Sequence, residues 1–331
     1  MQALKSAQQE RFDLRNRLFK KENRFFFITL LVMLIGMVII AVKRPSFYSL
    51  NNLKNVLIQN SSLCVMSIGL TFILITGGID ISMPKVMCLA AVTSATLMRA
   101  SGSVVVGVLT MFAVAVVCGA INGLAVSRFR MLPFIVTLAM QIMADGAATL
   151  ISQSRTIPVP AGFAQIANGK IGPVPNSITI MLAIIILAYF VLHRTKFGRW
   201  VYAIGVNKKT AYACGIPVDM VVFAVYVIGA ATTAIGGIIL MARLGGAVLA
   251  MASDTTFLDI ICGAVVGGVS IYGGVGTIWG AVFGSLFVII LGNFLNLFGV
   301  EYFTALMIKG GIILLTTCYD TLRKKVSKKE G

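Results

Sequence analysis

Four ionisable side chains interrupt apolar stretches of this 331-residue chain: Asp80, Asp145, Asp259 and Lys309. A charge within an apolar run is expensive to bury, so each is a candidate for handling a polar solute. Asp145 belongs to a pattern. Thr137, Gln141, Asp145 and Thr149 recur at intervals of four, which stacks them on one face of a helix. Asn60, Ser67 and Thr71 form a weaker stripe, and Asn293 and Asn296 a pair at i, i+3. Hydroxyls, amides and a carboxylate on facing helices can exchange hydrogen bonds with a polyol as it sheds water. They can equally hold helix to helix, at about 0.6 kcal/mol each on average. Both readings stand on sequence alone. Lys309, beside Gly310 and Gly311, reads as a packing residue that snorkels or pairs with a carboxylate.

Other chemistries lack their residues. There is no G-x-x-x-x-G-K-[ST] phosphate loop, since Gly169-Lys170 is followed by Ile171. There is no H-E-x-x-H and no G-x-S-x-G elbow, and His193 is the single histidine. The six cysteines are scattered without a CxxC pair, which reads as small apolar packing with no metal site. Catalysis and a cofactor held by this chain are not expected.

The elements that must position these residues are membrane helices. The chain is 58% hydrophobic and 12% charged, against about half and a quarter in soluble domains. Solid apolar runs predict an all-α polytopic bundle, because a membrane barrel would alternate every other residue. Ten spans are predicted: 25–42, 53–75, 84–98, 104–126, 134–152, 177–192, 220–241, 258–271, 277–298 and 302–319. Two of them, 84–98 and 258–271, fall short of the ~20 residues needed to cross. The first apolar run reads as a retained span, with no small-residue cleavage site after it.

The net charge of +17 sits at the ends and centre of the chain. Basic residues crowd a tail at 1–24, a loop at 193–219 and a tail at 321–331, which flank and divide a transmembrane domain at 25–320. The positive-inside rule makes these segments cytoplasmic and removes the need for a nucleic-acid partner. The N-terminal tail reads equally as a helix on the lipid surface or as a solvated tail. Alternation then puts 43–54, 99–103, 153–176, 242–257 and 299–301 outside.

Two glycine-rich breaks, one in each half, separate apolar segments: TGGIDIS at 76–82, with Gly77 and Gly78, and YGGVGT at 272–277, with Gly273, Gly274 and Gly276. Unwound backbone of this kind can line a solute path. In the central loop, Asn207 is placed to cap a short helix from Lys208 to Cys214, ended by Gly215 in a left-handed turn.

Several stretches together resemble the permease subunits of bacterial ABC importers for ribose-type sugars, a family that also handles galactosides and the autoinducer-2 signal. They are GLTFILITGGIDIS at 69–82, LPFIVTL at 132–138, RTKFGRWVYAIG at 194–205, GAVVGGVSIYGGVGT at 263–277 and IKG at 308–310. The resemblance runs from about Leu53 to Tyr319. Met83-Pro84 stands where Val-Gly is usual, and Val206 where Gly is usual. Membership implies pairing with a second permease copy or a homologous permease, and solute delivery by an extracytoplasmic sugar-binding protein. It also implies drive from cytoplasmic ATPase subunits that hold ATP and magnesium. The central loop is then the coupling segment, with Arg199, Asn207, Lys208, Lys209, Ala211, Ala213 and Gly215 at the ATPase. An ion-gradient-driven transporter, with Asp80 and Asp145 carrying protons or sodium, is the rival reading.

Overall fold

The computed structural model describes residues 49–329. The predicted N-terminal tail and first span at 25–42, with residues 330–331, lie outside the described residues. Among the described residues the chain is an all-α bundle of twelve α-helices, with strands only as two-residue pairs. Six helices are long and apolar enough to cross a membrane. They are α1 (Leu50–Ile75), α3 (Val104–Ser127), α4 (Pro133–Ser152), α6 (Asn176–Arg194), α9 (Val218–Leu244) and α11 (Ile278–Leu297).

Between them lie α2 (Met83–Ser101), α5 (Ala161–Asn168), α7 (Lys196–Val206), α8 (Lys208–Ala213), α10 (Asp254–Val266) and α12 (Tyr302–Lys329). Helix α2 is longer than the sequence suggests, because Pro84 sits in its first turn, where a missing N–H is harmless. Helix α12 runs on through Lys329, so most of the basic C-terminal tail is helical.

Helix α1 is the hub, with 89% of its most apolar window buried. Small residues let its neighbours close in. A Cβ on Gly69 would lie 1.8 Å from Thr232 Oγ1, and one on Gly236 2.8 Å from the Met66 side chain. Ser62 Oγ donates to Gly236 O across the same α1–α9 contact at 2.7 Å. Helix α3 packs on the other flank of α9 through Gly119 and Gly123, which face Ala230 and Phe223. Helices α2 and α3 turn on Gly102 and are tied by Ser94 Oγ donating to Gly107 O at 2.6 Å.

The second short span is corrected. Its helix is α10, at 254–266, and Gly267 begins an irregular stretch through Thr277 that absorbs the predicted end at 271. Thirteen helical residues reach about 20 Å, short of a ~30 Å hydrocarbon layer. Helix α10 seats on α11 through reciprocal G-x-x-x-G pairs. Cβ atoms on Gly267 and Gly284 would each fall 2.0 Å from the other helix's carbonyl oxygen, that of Gly280 and Gly263 respectively.

The connections predicted on one side of the bundle do meet. Strand β1 (Ile157–Pro158) pairs antiparallel with β4 (Gly246–Ala247). Between them in sequence, β2 (Lys170–Ile171) and β3 (Val174–Pro175) form a small hairpin beyond α5. Helix α5 is held to α9 by Asn168 Nδ2 donating to Ala242 O at 3.1 Å. After β4, Val248 and Leu249 turn their carbonyls toward Cys88 Sγ, near the start of α2.

Candidate translocation and coupling site

Asp80 lies in the first break, between α1 and α2. Thr76 and Gly77 close the end of α1, and Gly77 adopts φ +78°. Asp80 is buried, and its Oδ1 accepts from the Ser82 amide at 2.9 Å and from Ser82 Oγ at 2.5 Å. The Ser82 hydroxyl proton is thereby committed, so its oxygen can accept from Asn122 Nδ2 on α3 at 3.0 Å. The amide–hydroxyl–carboxylate chain thus has one consistent direction. From α9, Tyr226 OH donates to Ile79 O at 3.1 Å. Among the described residues no lysine or arginine pairs with Asp80, whereas Lys85 pairs with Asp145 at 3.0 Å and Lys309 with Asp259 at 2.8 Å.

The two breaks touch. Gly274 N donates to Ile75 O at 2.8 Å, joining the second break to the end of α1. A Cβ on Gly273 would stand 3.0 Å from Gly77 N and 3.1 Å from Gly205 O. Gly273 and Gly274 have φ of +89° and +78°, so both need glycine for conformation as well as space. Helix α7 of the central segment lies against both. A Cβ on Gly205 would fall 1.8 Å from Ile75 O and 2.4 Å from Gly274 N. Tyr202 OH donates to Gly276 O at 2.6 Å.

The central segment is two capped helices, not an open loop. Thr195 Oγ1 accepts from Gly198 N at the start of α7. Asn207 Oδ1 accepts from Lys209 N at 3.0 Å and Thr210 N at 3.1 Å at the start of α8. Helix α8 ends at Ala213, and Gly215 follows with φ +75°. Arg199, Lys208, Lys209 and Ala213 are exposed, whereas Ala211 is buried. Ala211 therefore seats α8 on the bundle and does not face outward. Val206, Tyr212 and Met220 are exposed apolar neighbours of the basic residues. The Tyr212 phenol is pushed above its ordinary value, first by its hydrogen bond to Asp219.

Most of the polar stripes resolve into helix contacts. Ser67 Oγ donates to Ile260 O at 3.0 Å and Thr71 Oγ1 to Ser67 O at 2.7 Å, both buried. Asn60 is buried with Nδ2 near Met181 Sδ, and its Oδ1 has no partner among the described residues. Thr137 is buried and donates to Pro133 O; Thr149 is exposed and donates to Asp145 O. Asp145 reaches sideways to Lys85 on α2 and keeps its side chain 49% exposed, with half-buried Gln141 one turn away. Asn293 is half-buried and Asn296 exposed, both at the end of α11 remote from the break. The expected pairing of Lys309 is present, with Asp259 as its carboxylate.

Residues 52–317 match the family described as "Branched-chain amino acid transport system / permease component". The chain belongs to that family. It is 31% identical over 303 residues to the ribose import permease protein RbsC of Escherichia coli K12, covering 89% of this chain and 94% of that protein. It is 36% identical over 295 residues to the RbsC of Bacillus subtilis 168, covering 88% and 90%. It is also 31% identical over 315 residues to the galactose/methyl galactoside import permease protein MglC of Salmonella typhimurium LT2, covering 88% and 93%. No solved structure matches.

Four residues of this permease's site escape a reading of the sequence. Asn122 stands alone in AVVCGAINGLAV, with no periodic polar partner to mark it. Tyr202 and Tyr226 read as ordinary aromatic packing, and only their hydroxyl contacts distinguish them. Lys85 was the hidden partner of Asp145, readable only once α2 and α4 are known to be neighbours.

Proposed function

We propose that this permease is the membrane subunit of an ATP-driven importer that moves a monosaccharide or related small polyol delivered by an extracytoplasmic binding protein. The ribose and galactose permeases to which it is similar over almost its full length support the solute class. The observation that carries the mechanism is the seating of the central segment. Helix α7 rests on both glycine breaks, so a partner pressing on α8 acts on the irregular backbone between the membrane helices.

In this reading the chain performs no catalysis and holds no cofactor. ATP and magnesium sit on separate ATPase subunits, which dock against Arg199, Lys208, Lys209 and the exposed Val206 and Tyr212. A second permease copy or a homologue completes the path, within a bacterial cytoplasmic membrane and with both termini inside. The bonding of Asp80 argues against the gradient-driven alternative. Its carboxylate is engaged by the Ser82 amide and hydroxyl in the turn before α2.

Reconstitution tests the proposal. The chain, its ATPase and its binding protein in liposomes should take up radiolabelled ribose or galactose only when ATP is supplied. Uptake by the purified chain alone, under an imposed proton or sodium gradient, would refute it.

A further inference from the structure

We infer that Tyr202 is the positioning residue through which the cytoplasmic segment sets the conformation of the second glycine break, an inference that rests on the importer reading above. Tyr202 and Gly205 are three residues apart and share one face of α7. They make different contacts. Gly205, lacking a side chain, lets Ile75 O and Gly274 N come against the helix backbone. Tyr202 reaches out, and its hydroxyl donates to Gly276 O at 2.6 Å.

The second break is therefore pinned at two points. Gly274 N is tied to the end of α1 at 2.8 Å, and Gly276 O is tied to α7. Gly273 and Gly274, both with positive φ, lie beside and at the first pin, so this backbone has few side-chain restraints of its own. An aromatic row reinforces the arrangement. Tyr202 meets His193 edge-on at 6.5 Å, His193 stacks on Tyr189 at 4.8 Å, and Tyr189 lies 6.2 Å from Trp279. Trp279 is the second residue of α11, directly after the break. The row thus runs from α7 through α6 to the far side of the segment that Tyr202 holds.

The path from α8 to Tyr202 is short and stiff. One residue, Asn207, separates α7 from α8, and its side chain caps the second helix. Val201 and Ile204 are buried and fix α7 against the bundle. A displacement of α8 reaches the Tyr202 hydroxyl with no flexible linker between. Tyr226 supplies the natural comparison, because its hydroxyl also holds a break carbonyl, that of Ile79, but from α9.

The experiment uses the complete complex in liposomes, with ribose and galactose as probes, and reads solute moved per ATP hydrolysed. Tyr202→Phe keeps the ring and removes the hydroxyl. Hydrolysis should persist while uptake per ATP falls on the order of 3- to 10-fold, the range one neutral hydrogen bond supplies. Tyr226→Phe should lower uptake and hydrolysis together, leaving their ratio unchanged. A wild-type ratio in Tyr202→Phe, or a proportional loss of both activities, overturns the inference. Absence of ATP-driven uptake by the wild-type complex instead overturns the importer reading, and the two failures are thereby distinct. Hydrogen exchange on the membrane-embedded chain gives a second readout, independent of solute. Amides at 272–277 should exchange faster in Tyr202→Phe while those of α3 do not change, and equal protection at 272–277 counts against the link.

Discussion

Asp80 illustrates how much one side chain can organise. Its Oδ1 satisfies two donors of Ser82, at the point where α2 begins and backbone N–H groups lack helical partners. Asp80→Asn retains an acceptor oxygen, so the variant should keep substantial uptake. Asp80→Leu strands those donors in a buried setting, at about 1–3 kcal/mol, and should be strongly defective at equal expression. An inactive Asn variant would restore the ion-carrier reading. The local bonding of Asp80 was legible in the sequence, since glycines precede it and a serine follows two residues later. The role of Asn122 was not. A single amide in an apolar helix gains meaning only from what stands opposite, and Ser82 lies forty residues away in sequence. The same limit applies to Ser67 and Thr71, whose spacing suggested a polar face but whose hydroxyls bond to nearby carbonyls in the core.

At the scale of elements, helix ends were more legible than helix contacts. Asn207, Gly215 and Pro217 delimit α8 within one residue of the expected end, because capping chemistry is local. Gly215 has φ +75° with no atom within 4 Å of an added Cβ, so a substitution there acts through the backbone alone. Gly215→Val should cost about 1–2 kcal/mol of local stability. It should let hydrolysis proceed with diminished uptake, whereas Gly215→Asn should be milder; equal coupling in all three proteins would remove α8 from the transmission path. The reciprocal glycines of α10 and α11 carried no such local sign, since either G-x-x-x-G alone fits a turn or a loop. Their contact makes a sharp contrast testable. Gly267→Ala would put a methyl 2.0 Å from Gly280 O, whereas Gly292→Ala meets nothing within 4 Å. The first should destabilise by about 1–3 kcal/mol through overpacking. The second should be neutral or gain up to about 1 kcal/mol from helix propensity. Thermal unfolding in detergent ranks the two, and a similar melting point for both would mean that α10 and α11 do not pack so closely.

For the whole molecule, the apolar runs announced a bundle, and the charge distribution gives an expected orientation, but neither could say which connections meet. The pairing of β1 with β4 brings the segments after α4 and α9 to one side, as alternation of the spans requires. The capped helices α7 and α8 follow α6, and the exposed Cys214 follows α8. If basic segments face the cytoplasm, Cys214 lies inside, while Lys170 in the β2–β3 hairpin lies outside. Cys64, Cys88, Cys118 and Cys262 are buried, and Cys318 is the other exposed thiol among the described residues. Replacing Cys318 by Ser therefore leaves Cys214 as the accessible native reporter, and Lys170→Cys adds one on the opposite face. An impermeant maleimide applied to spheroplasts should label the protein only when Lys170→Cys is present. After the membrane is opened, Cys214 should label as well, and the assembled ATPase should slow that labelling, since it would cover α8. Labelling of Cys214 from outside in intact spheroplasts would invert the orientation and separate the coupling segment from any cytoplasmic ATPase.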